Sequence, residues 1–258
     1  MNHAQEIVEQ GFTVIPDVIP VDECDRISES LLATVAEHGY DAPDQIGFVP
    51  SVINFDQSFV SYLASDELLG LAESLLGDDV RVSFTSATIN FPGNERNLWH
   101  SDWPFNQRNS SRIKAPYSDR LMHLTTLWML SAFTKENGGT LLVPGSHRRS
   151  SNPTVNGRVI EPFDDEIQAT GEQGSVLVMD SRMWHATAAN ETPAPRVSLA
   201  VRYAPWWLNL GVLKPGQQQD TIQVAEGTSH NYVPGITPEA FERLPDNIKP
   251  LYAHWVDL

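Results

Sequence analysis

The chain has 258 residues, enough for one sizeable domain that needs neither a disulfide nor a structural metal for stability. It carries 33 acidic and 17 basic residues, a formal net charge of −16, which argues against nucleic acid or an anionic membrane as a partner. Cys24 is the only cysteine and the first residues lack signal-peptide features, so a cytoplasmic protein is predicted. The longest apolar stretch, residues 121–133, is too short and too polar to cross a bilayer.

The first third of the chain predicts a mixture of strand and helix. Residues 11–16, GFTVIP, form a short apolar run bounded by glycine and proline, which is typical of a strand. Helical spacing then predicts one helix that is capped by Asp22 and stopped by Gly39, and a second helix over residues 66–76. These elements are expected to form a helical support over roughly residues 1–79.

From residue 80 onward the chain changes character. Short β-rich runs separated by Gly, Pro, Asn and Ser predict an antiparallel sandwich or barrel over roughly residues 80–210. The remaining residues, 211–258, form a C-terminal extension with a helix predicted near 238–244. The whole chain is therefore interpreted as a single domain, mainly β with flanking α-helices. The β-rich runs are residues 80–91, 121–133, 140–143, 175–179 and 196–204.

One pair of residues has the spacing of metal ligands. His100 and Asp102 are two positions apart, and such residues point to the same face of an extended segment. The best candidate for a third ligand is His185, since it closes an apolar strand and turn, residues 175–185, that would present it at a barrel mouth. Two imidazoles and one carboxylate leave three coordination positions open, as in non-haem Fe(II) oxygenases. His147 is a weaker alternative ligand and is predicted instead to hold a rim loop by a hydrogen bond.

An arginine follows these candidate ligands. Arg196 opens the last apolar run, with Ser198 on the same strand face. On a strand next to His185, Arg196 would lie deep beside the metal, where a buried guanidinium needs an anionic partner. A dicarboxylate cosubstrate that chelates iron at one end would supply that partner at its other end.

The ordered set of motifs resembles the phytanoyl-CoA dioxygenase (PhyH) family. The resemblance covers roughly residues 12–203, including the opening GFTVIPDVIPVDECDRI. It implies a double-stranded β-helix core, which is a cupin-like jelly roll, with Fe(II) held by His100, Asp102 and His185. The motifs that carry it are His100-x-Asp102, Asn137-Gly138-Gly139-Thr140, Pro144-Gly145-Ser146-His147, Trp184-His185 and Arg196-x-Ser198.

The same resemblance implies a cosubstrate and a reaction. It implies 2-oxoglutarate anchored by Arg196 with further contacts from Thr140 and Ser198, O2 as the oxidant, and ascorbate as a candidate reductant. Halogenases that resemble this family replace the carboxylate ligand by a small residue, so the intact Asp102 favours hydroxylation. We therefore expect hydroxylation of an unactivated C–H bond of a small organic substrate, with release of succinate and CO2.

Three residues are weaker candidates for substrate contact. Trp103 lies in a long polar segment, residues 101–117, whose composition is typical of a lid or substrate loop. Arg202 lies in the last β-rich run and Trp206 follows it. Nothing in the sequence identifies the substrate or the oligomeric state.

Two other functions remain open at the level of sequence. One is a non-catalytic jelly-roll protein that keeps the metal site and binds a ligand. The other is a zinc hydrolase, because two histidines and one carboxylate also suit catalytic Zn²⁺. A hydrolase needs a general base near the metal-bound water and has no use for Arg196.

Overall fold

A computed structural model describes residues 2–41, 46–106, 117, 119–151, 153, 160–214 and 235–256. The helices within this part of the chain are α1 (His3–Gln10), α2 (Val21–His38), α3 (Asp66–Leu76), α4 (Pro238–Glu242) and α5 (Lys249–Tyr252). The strands are β1 (Phe12–Ile15), β2 (Tyr40–Asp41), β3 (Ile46–Pro50), β4 (Arg81–Asn90), β5 (Leu124–Met129), β6 (Leu141–Leu142), β7 (Ile167–Gln168), β8 (Val176–Asp180), β9 (His185–Ala186) and β10 (Arg196–Ala204).

The strands form two antiparallel sheets. The larger has the order β1-β8-β5-β10-β4-β3-β2, and the smaller has the order β7-β6-β9, extended by a bridge between His100 and His185. From β4 onward the chain repeatedly crosses between the two sheets: β4, β5, β8 and β10 lie in the larger sheet, whereas the His100 bridge, β6, β7 and β9 lie in the smaller. This alternation is a double-stranded β-helix, the predicted jelly roll.

Strand β10 separates the hydrophobic core from the inner space of the jelly roll. It pairs along its whole length with β4 and over six residues with β5. Successive side chains of a strand point to opposite faces. Val197, Leu199, Val201 and Tyr203 join the main hydrophobic cluster with helices α2 and α3. The alternate residues, from Arg196 to Arg202, therefore face the other sheet.

The N-terminal segment does more than support the jelly roll. Strand β1 pairs with β8, and β2 and β3 extend the other edge of the larger sheet through β4. Helix α1, which the sequence did not predict, ends at Gly11 in the left-handed conformation at φ +96°. A Cβ at Gly11 would lie only 2.1 Å from the Met183 sulfur, so this turn requires glycine.

Both predicted N-terminal helices are present. Helix α2 buries Cys24, Ile27, Leu31 and Val35 and ends at Gly39, as predicted. It begins after Pro20, however, and no side chain caps it, so the prediction that Asp22 is the cap was wrong. Asp22 lies in the first turn, where a carboxylate still interacts favourably with the helix dipole.

The C-terminal extension is described only in part. Helix α4 lies within the predicted range, while residues 215–234 lie outside the described residues. Most of the predicted lid, residues 107–116, is also outside them. Of the helices in the described part of the chain, none has the length and apolarity needed to cross a bilayer.

Candidate metal centre

The three predicted ligands come together at one end of the smaller sheet. His100 and His185 exchange backbone hydrogen bonds of 2.9 Å in each direction, and Asp102 donates its backbone N–H to the carbonyl of Ser181 at 2.8 Å. One ligand atom from each of His100, Asp102 and His185 lies within 4.8 Å of the others. Asp102 and His185 are buried and His100 is half-buried, so the cluster opens on one side.

The two histidines are oriented by backbone carbonyls. Nδ1 of His100 lies 3.1 Å from the Leu98 carbonyl, and Nδ1 of His185 lies 2.9 Å from the Met183 carbonyl. A carbonyl can only accept, so both Nδ1 atoms carry the proton and both Nε2 lone pairs are free for a metal. Burial and the neighbouring His100 lower the pKa of His185 to about 4, which keeps it neutral at neutral pH.

The carboxylate of Asp102 has a partner on each oxygen. Thr125 donates a 2.6 Å hydrogen bond to Oδ2, and Arg202 forms a 2.5 Å ion pair with Oδ1. Burial opposes ionisation, but Arg202, the two histidines and Thr125 outweigh it and hold the pKa of Asp102 well below its usual range. Asp102 is therefore ionised. Its Oδ2 lies 3.8 Å from Nε2 of His185.

Arg196 is buried, and within the described part of the chain it has no carboxylate partner. It is 2% exposed, its Nη1 donates a 2.7 Å hydrogen bond to the Gly138 carbonyl, and its guanidinium lies 4.2 Å from the ring centroid of Phe133. Among the described residues, Nε has no acceptor and no salt bridge reaches this guanidinium. Burial alone lowers the pKa of Arg196 to about 10, so it remains charged at neutral pH.

The predicted location of Arg196 was partly wrong. Its strand, β10, is not a neighbour of His185, because β10 lies between β4 and β5 in the larger sheet and His185 lies in the smaller. The two are connected across the jelly roll instead. Arg196 binds the Gly138 carbonyl, and four residues later Leu142 pairs with His185. Four extended residues span about 13 Å, which places Arg196 and the ligands in the same inner space.

The other predicted cosubstrate residues are buried near Arg196. Thr140 follows Gly138 and Gly139 and precedes β6, with its carbonyl bound to the N–H of Ala169. Ser198 lies two residues after Arg196 on the same face of β10, and its hydroxyl donates a 2.7 Å hydrogen bond to the Thr88 carbonyl. Their contact with a cosubstrate remains a prediction.

The substrate candidates occupy three different environments. Trp103 is 8% exposed and packs edge-on against the His123 ring, with the centroids 5.4 Å apart. Arg202 is the partner of Asp102, with its guanidinium 4.7 Å from the Phe84 centroid. Trp206 is 56% exposed in the turn after β10. Trp103 and Arg202 thus line or support the metal centre, whereas Trp206 lies on the surface.

His147 is not part of the cluster. It is buried against helix α1, and its Nε2 lies 3.3 Å from the Val8 carbonyl. The neighbouring Arg148 donates to the same carbonyl at 2.6 Å, and the Gly145 N–H donates to Gln10. These residues hold the end of α1, so His147 makes a hydrogen bond to a helix rather than to the predicted rim loop.

A buried polar network behind Asp102 was not predicted. It consists of hydroxyl and imidazole groups from three parts of the larger sheet. One indication of this network was present in the sequence. Polar side chains, among them His123 and Thr125, interrupt the apolar residues 121–133 at positions that are buried in the fold. The members of the network are Thr125, Ser181, His123 and Ser83.

Comparison with known proteins gives the family. The family model described as phytanoyl-CoA dioxygenase (PhyH) matches residues 7–198, about three quarters of the chain. The chain belongs to the phytanoyl-CoA dioxygenase family. Together with the His100, Asp102 and His185 cluster, membership supports an iron- and 2-oxoglutarate-dependent dioxygenase.

The matches to individual proteins either cover part of the relative or have a low sequence identity. "Dioxygenase af480" of Aspergillus fumigatus is 35% identical over 133 residues, which are 50% of this chain and 39% of that protein, so the match spans less than half of this relative. EctD from S. alaskensis, solved with 2-oxoglutarate and 5-hydroxyectoine, has a TM-score of 0.61 at 21% identity over 78% of this chain and 74% of its own. The non-haem α-ketoglutarate-dependent epimerase SnoN from nogalamycin biosynthesis has a TM-score of 0.65 at 17% identity, covering 83% and 89%. These likenesses show the fold.

Proposed function

We propose that this protein is an Fe(II)- and 2-oxoglutarate-dependent oxygenase that hydroxylates an unactivated C–H bond of a small organic substrate, with release of succinate and CO2. His100, Asp102 and His185 hold the iron, and Arg196 anchors the far carboxylate of 2-oxoglutarate. Iron with 2-oxoglutarate and O2 supplies the oxidising power for C–H cleavage. The structure of EctD was solved with 2-oxoglutarate, which supports the choice of cosubstrate.

The observation that carries this proposal is the buried charge of Arg196. Leaving a guanidinium in an apolar environment without an anionic partner is costly, so such a residue indicates a ligand that supplies the anion. Its Nε has no acceptor among the described residues, and Thr140, two residues after the Gly138 carbonyl that Arg196 binds, offers a buried hydroxyl group. A planar carboxylate fits the forked donors of arginine. A zinc hydrolase gives this charge no role.

The protein's own groups would position the reactants and exclude water. The histidine Nε2 atoms and the ionised Asp102 offer one face of ligands and leave the opposite face for cosubstrate and O2. Arg196 fixes the cosubstrate from the far side of the inner space. The intact carboxylate at Asp102 fills the ligand position that halogenases resembling this family leave open, which favours hydroxylation.

The first experiment tests the cosubstrate chemistry. Purified protein is loaded anaerobically with Fe(II) and 2-oxoglutarate, the charge-transfer band is recorded, and succinate is measured after O2 and ascorbate are added. We expect the band and succinate from the wild-type protein and neither from Asp102→Ala. If Asp102→Ala kept full 2-oxoglutarate-dependent activity, the ligand assignment would be wrong. Absence of succinate from iron-loaded wild-type protein would favour a non-catalytic binding protein.

The second experiment tests the reaction type. Candidate small molecules are screened anaerobically for perturbation of the charge-transfer band, and the binders are then turned over with O2. Hydroxylation gives a product that is heavier by one oxygen atom. A product of unchanged mass would indicate an epimerase such as SnoN, and a product lighter by two hydrogens would indicate desaturation.

A further inference from the structure

We propose that Asp102 is held in its metal-binding orientation by a directional chain of buried hydrogen bonds that ends at His123, which makes Thr125, Ser181 and His123 positioning residues for the metal centre. This inference rests on the proposed metal site. We call these three residues, together with Ser83, the Asp102 network.

The network is continuous over four hydrogen bonds. Thr125 Oγ1 lies 2.6 Å from Asp102 Oδ2 and 2.9 Å from Ser181 Oγ. Ser181 Oγ lies 2.6 Å from Nδ1 of His123, and Nε2 of His123 lies 2.6 Å from Ser83 Oγ. All four network residues are at most 2% exposed. Water therefore does not compete for these hydrogen bonds.

Counting donors gives the chain one direction. The ionised carboxylate of Asp102 can only accept, so the Thr125 hydroxyl donates its single proton to it. Thr125 must then accept from Ser181, and Ser181 must accept from His123. The proton of the neutral His123 ring is therefore on Nδ1. Ser83 donates to Nε2 at 2.6 Å in preference to the Arg202 carbonyl, which lies 3.3 Å from the same hydroxyl. Burial and Arg202 lower the pKa of His123 to about 3, in agreement with a neutral ring.

The network connects the two sheets at the site. Ser83 lies on β4, Thr125 on β5, and Ser181 directly after β8, all in the larger sheet, whereas Asp102 follows the His100 bridge of the smaller sheet. The Trp103 ring packs edge-on against His123 and covers the network from the segment that carries Asp102. The network thus sets the direction of Oδ2 relative to the histidines. Losing partners that orient a metal ligand weakens metal affinity about 10- to 100-fold.

Strand β5 supplies a matched control. Thr126 is the next residue and equally buried, but its hydroxyl donates to the Val201 carbonyl at 2.8 Å and accepts from Trp128, on the opposite face of the sheet. Thr125→Val and Thr126→Val each replace one buried hydroxyl by a methyl group. Only the first touches the Asp102 network.

The test is a titration of each purified variant with Co(II) alone, followed by its visible absorption, together with thermal unfolding of the metal-free protein. We expect Thr125→Val to weaken Co(II) binding about 10- to 100-fold, while Thr126→Val leaves it unchanged. Thr125→Ser keeps the hydroxyl and is expected to restore most of the affinity. Ser181→Ala is expected to weaken binding in the wild-type background and to have no further effect in Thr125→Val, since Ser181 acts through Thr125.

Each alternative outcome has a distinct meaning. Equal Co(II) affinity of Thr125→Val and Thr126→Val, with the wild-type protein binding tightly, would overturn the role of the network and leave the proposed function intact. Independent, multiplicative effects of Thr125→Val and Ser181→Ala would overturn the directional chain. A wild-type protein that binds no Co(II) or Fe(II) would overturn the metal site itself and this inference with it.

Discussion

Arg202 donates a 2.5 Å hydrogen bond from Nη2 to Oδ1 of Asp102, whereas Arg196, six residues earlier on the same strand face, has no carboxylate partner among the residues that the structure describes. The two arginines thus have opposite relations to the metal centre. The charge of Arg202 is compensated by Asp102, whereas the proposed function assigns the far carboxylate of 2-oxoglutarate to the charge of Arg196. This contrast leads to opposite expectations for their replacement.

Arg202→Met is expected to destabilise the metal-free protein. It leaves the buried Asp102 carboxylate without its ion-pair partner, and a lost hydrogen bond to a charged group costs about 1.5–3 kcal/mol, toward the lower end here because Arg202 is 22% exposed. A bound divalent metal would compensate the same carboxylate. The free energy of unfolding should therefore fall in metal-free protein and fall less when saturating Co(II) is present. An equal loss in both states would show that Arg202 does not act through Asp102.

Arg196→Met is expected to separate stability from cosubstrate binding. Removing a buried charge that lacks an anionic partner should leave the free energy of unfolding unchanged or raise it by about 1 kcal/mol, after the loss of the hydrogen bond to Gly138 is counted. Binding of 2-oxoglutarate to the iron-loaded protein should be lost, as measured by the charge-transfer band. A variant that is destabilised by several kcal/mol would indicate that Arg196 has a structural role instead.

The sequence predicted most of the elements and the ligand set for a physical reason. Alternation and turn residues are local signals, so the run 196–204 coincides with β10, and the spacing of His100 and Asp102 places them together. The position of β10 next to His185 was predicted wrongly, because β9, which carries His185, and the following strand β10 lie in different sheets. Helix α1 was missed because it is only eight residues long and buries a single side chain, Ile7.

The surroundings of Asp102 could not be predicted from local pattern at all. Ser181 is 56 residues from Thr125 and 58 from His123 in the chain, and it becomes their neighbour only when β5 and the end of β8 meet. A buried hydroxyl in an apolar run shows that it needs a partner but does not identify the partner. The same limit applies to Arg202, whose contact with Asp102 spans one hundred residues.

His123 is expected to make the stability of the protein sensitive to acid. Its pKa in the folded protein is about 3, below the value of about 6.5 in an unfolded chain, so the unfolded state binds an extra proton between these values. The contribution of neutral His123 to the free energy of unfolding is fully present above about pH 6.5. It is lost as the pH falls towards 3, at about 1.4 kcal/mol per pH unit. Chemical unfolding between pH 4 and 6 should show a slope that is smaller by this amount in His123→Phe. Identical slopes would contradict a neutral buried His123.

Gly138→Ala is expected to damage the loop that carries the Arg196 acceptor. Gly138 has φ +82°, and a Cβ there would lie 2.4 Å from Nδ2 of Asn90 and 2.6 Å from the Ala188 carbonyl. Left-handed backbone alone costs roughly 1–3 kcal/mol for a residue with a side chain. Gly70→Ala, in the interior of α3 with nothing within 4 Å, should instead stabilise by about 1 kcal/mol. Changes in the free energy of unfolding that have opposite sign in the two variants would confirm the contrast. Equal changes would contradict it.

Trp103 and Trp206 were both predicted to contact substrate, and their replacement can separate an effect on substrate binding from an effect on stability. Trp206 is 56% exposed, so Trp206→Ala should change the free energy of unfolding by less than about 0.5 kcal/mol. Trp103 is 8% exposed and packs on His123, so Trp103→Ala should cost about 3–5 kcal/mol. Because Trp206→Ala leaves the fold intact, a raised KM for substrate with unchanged kcat would be a direct effect on uniform binding. An unchanged KM for substrate would remove Trp206 from the substrate site, whatever the outcome at Trp103.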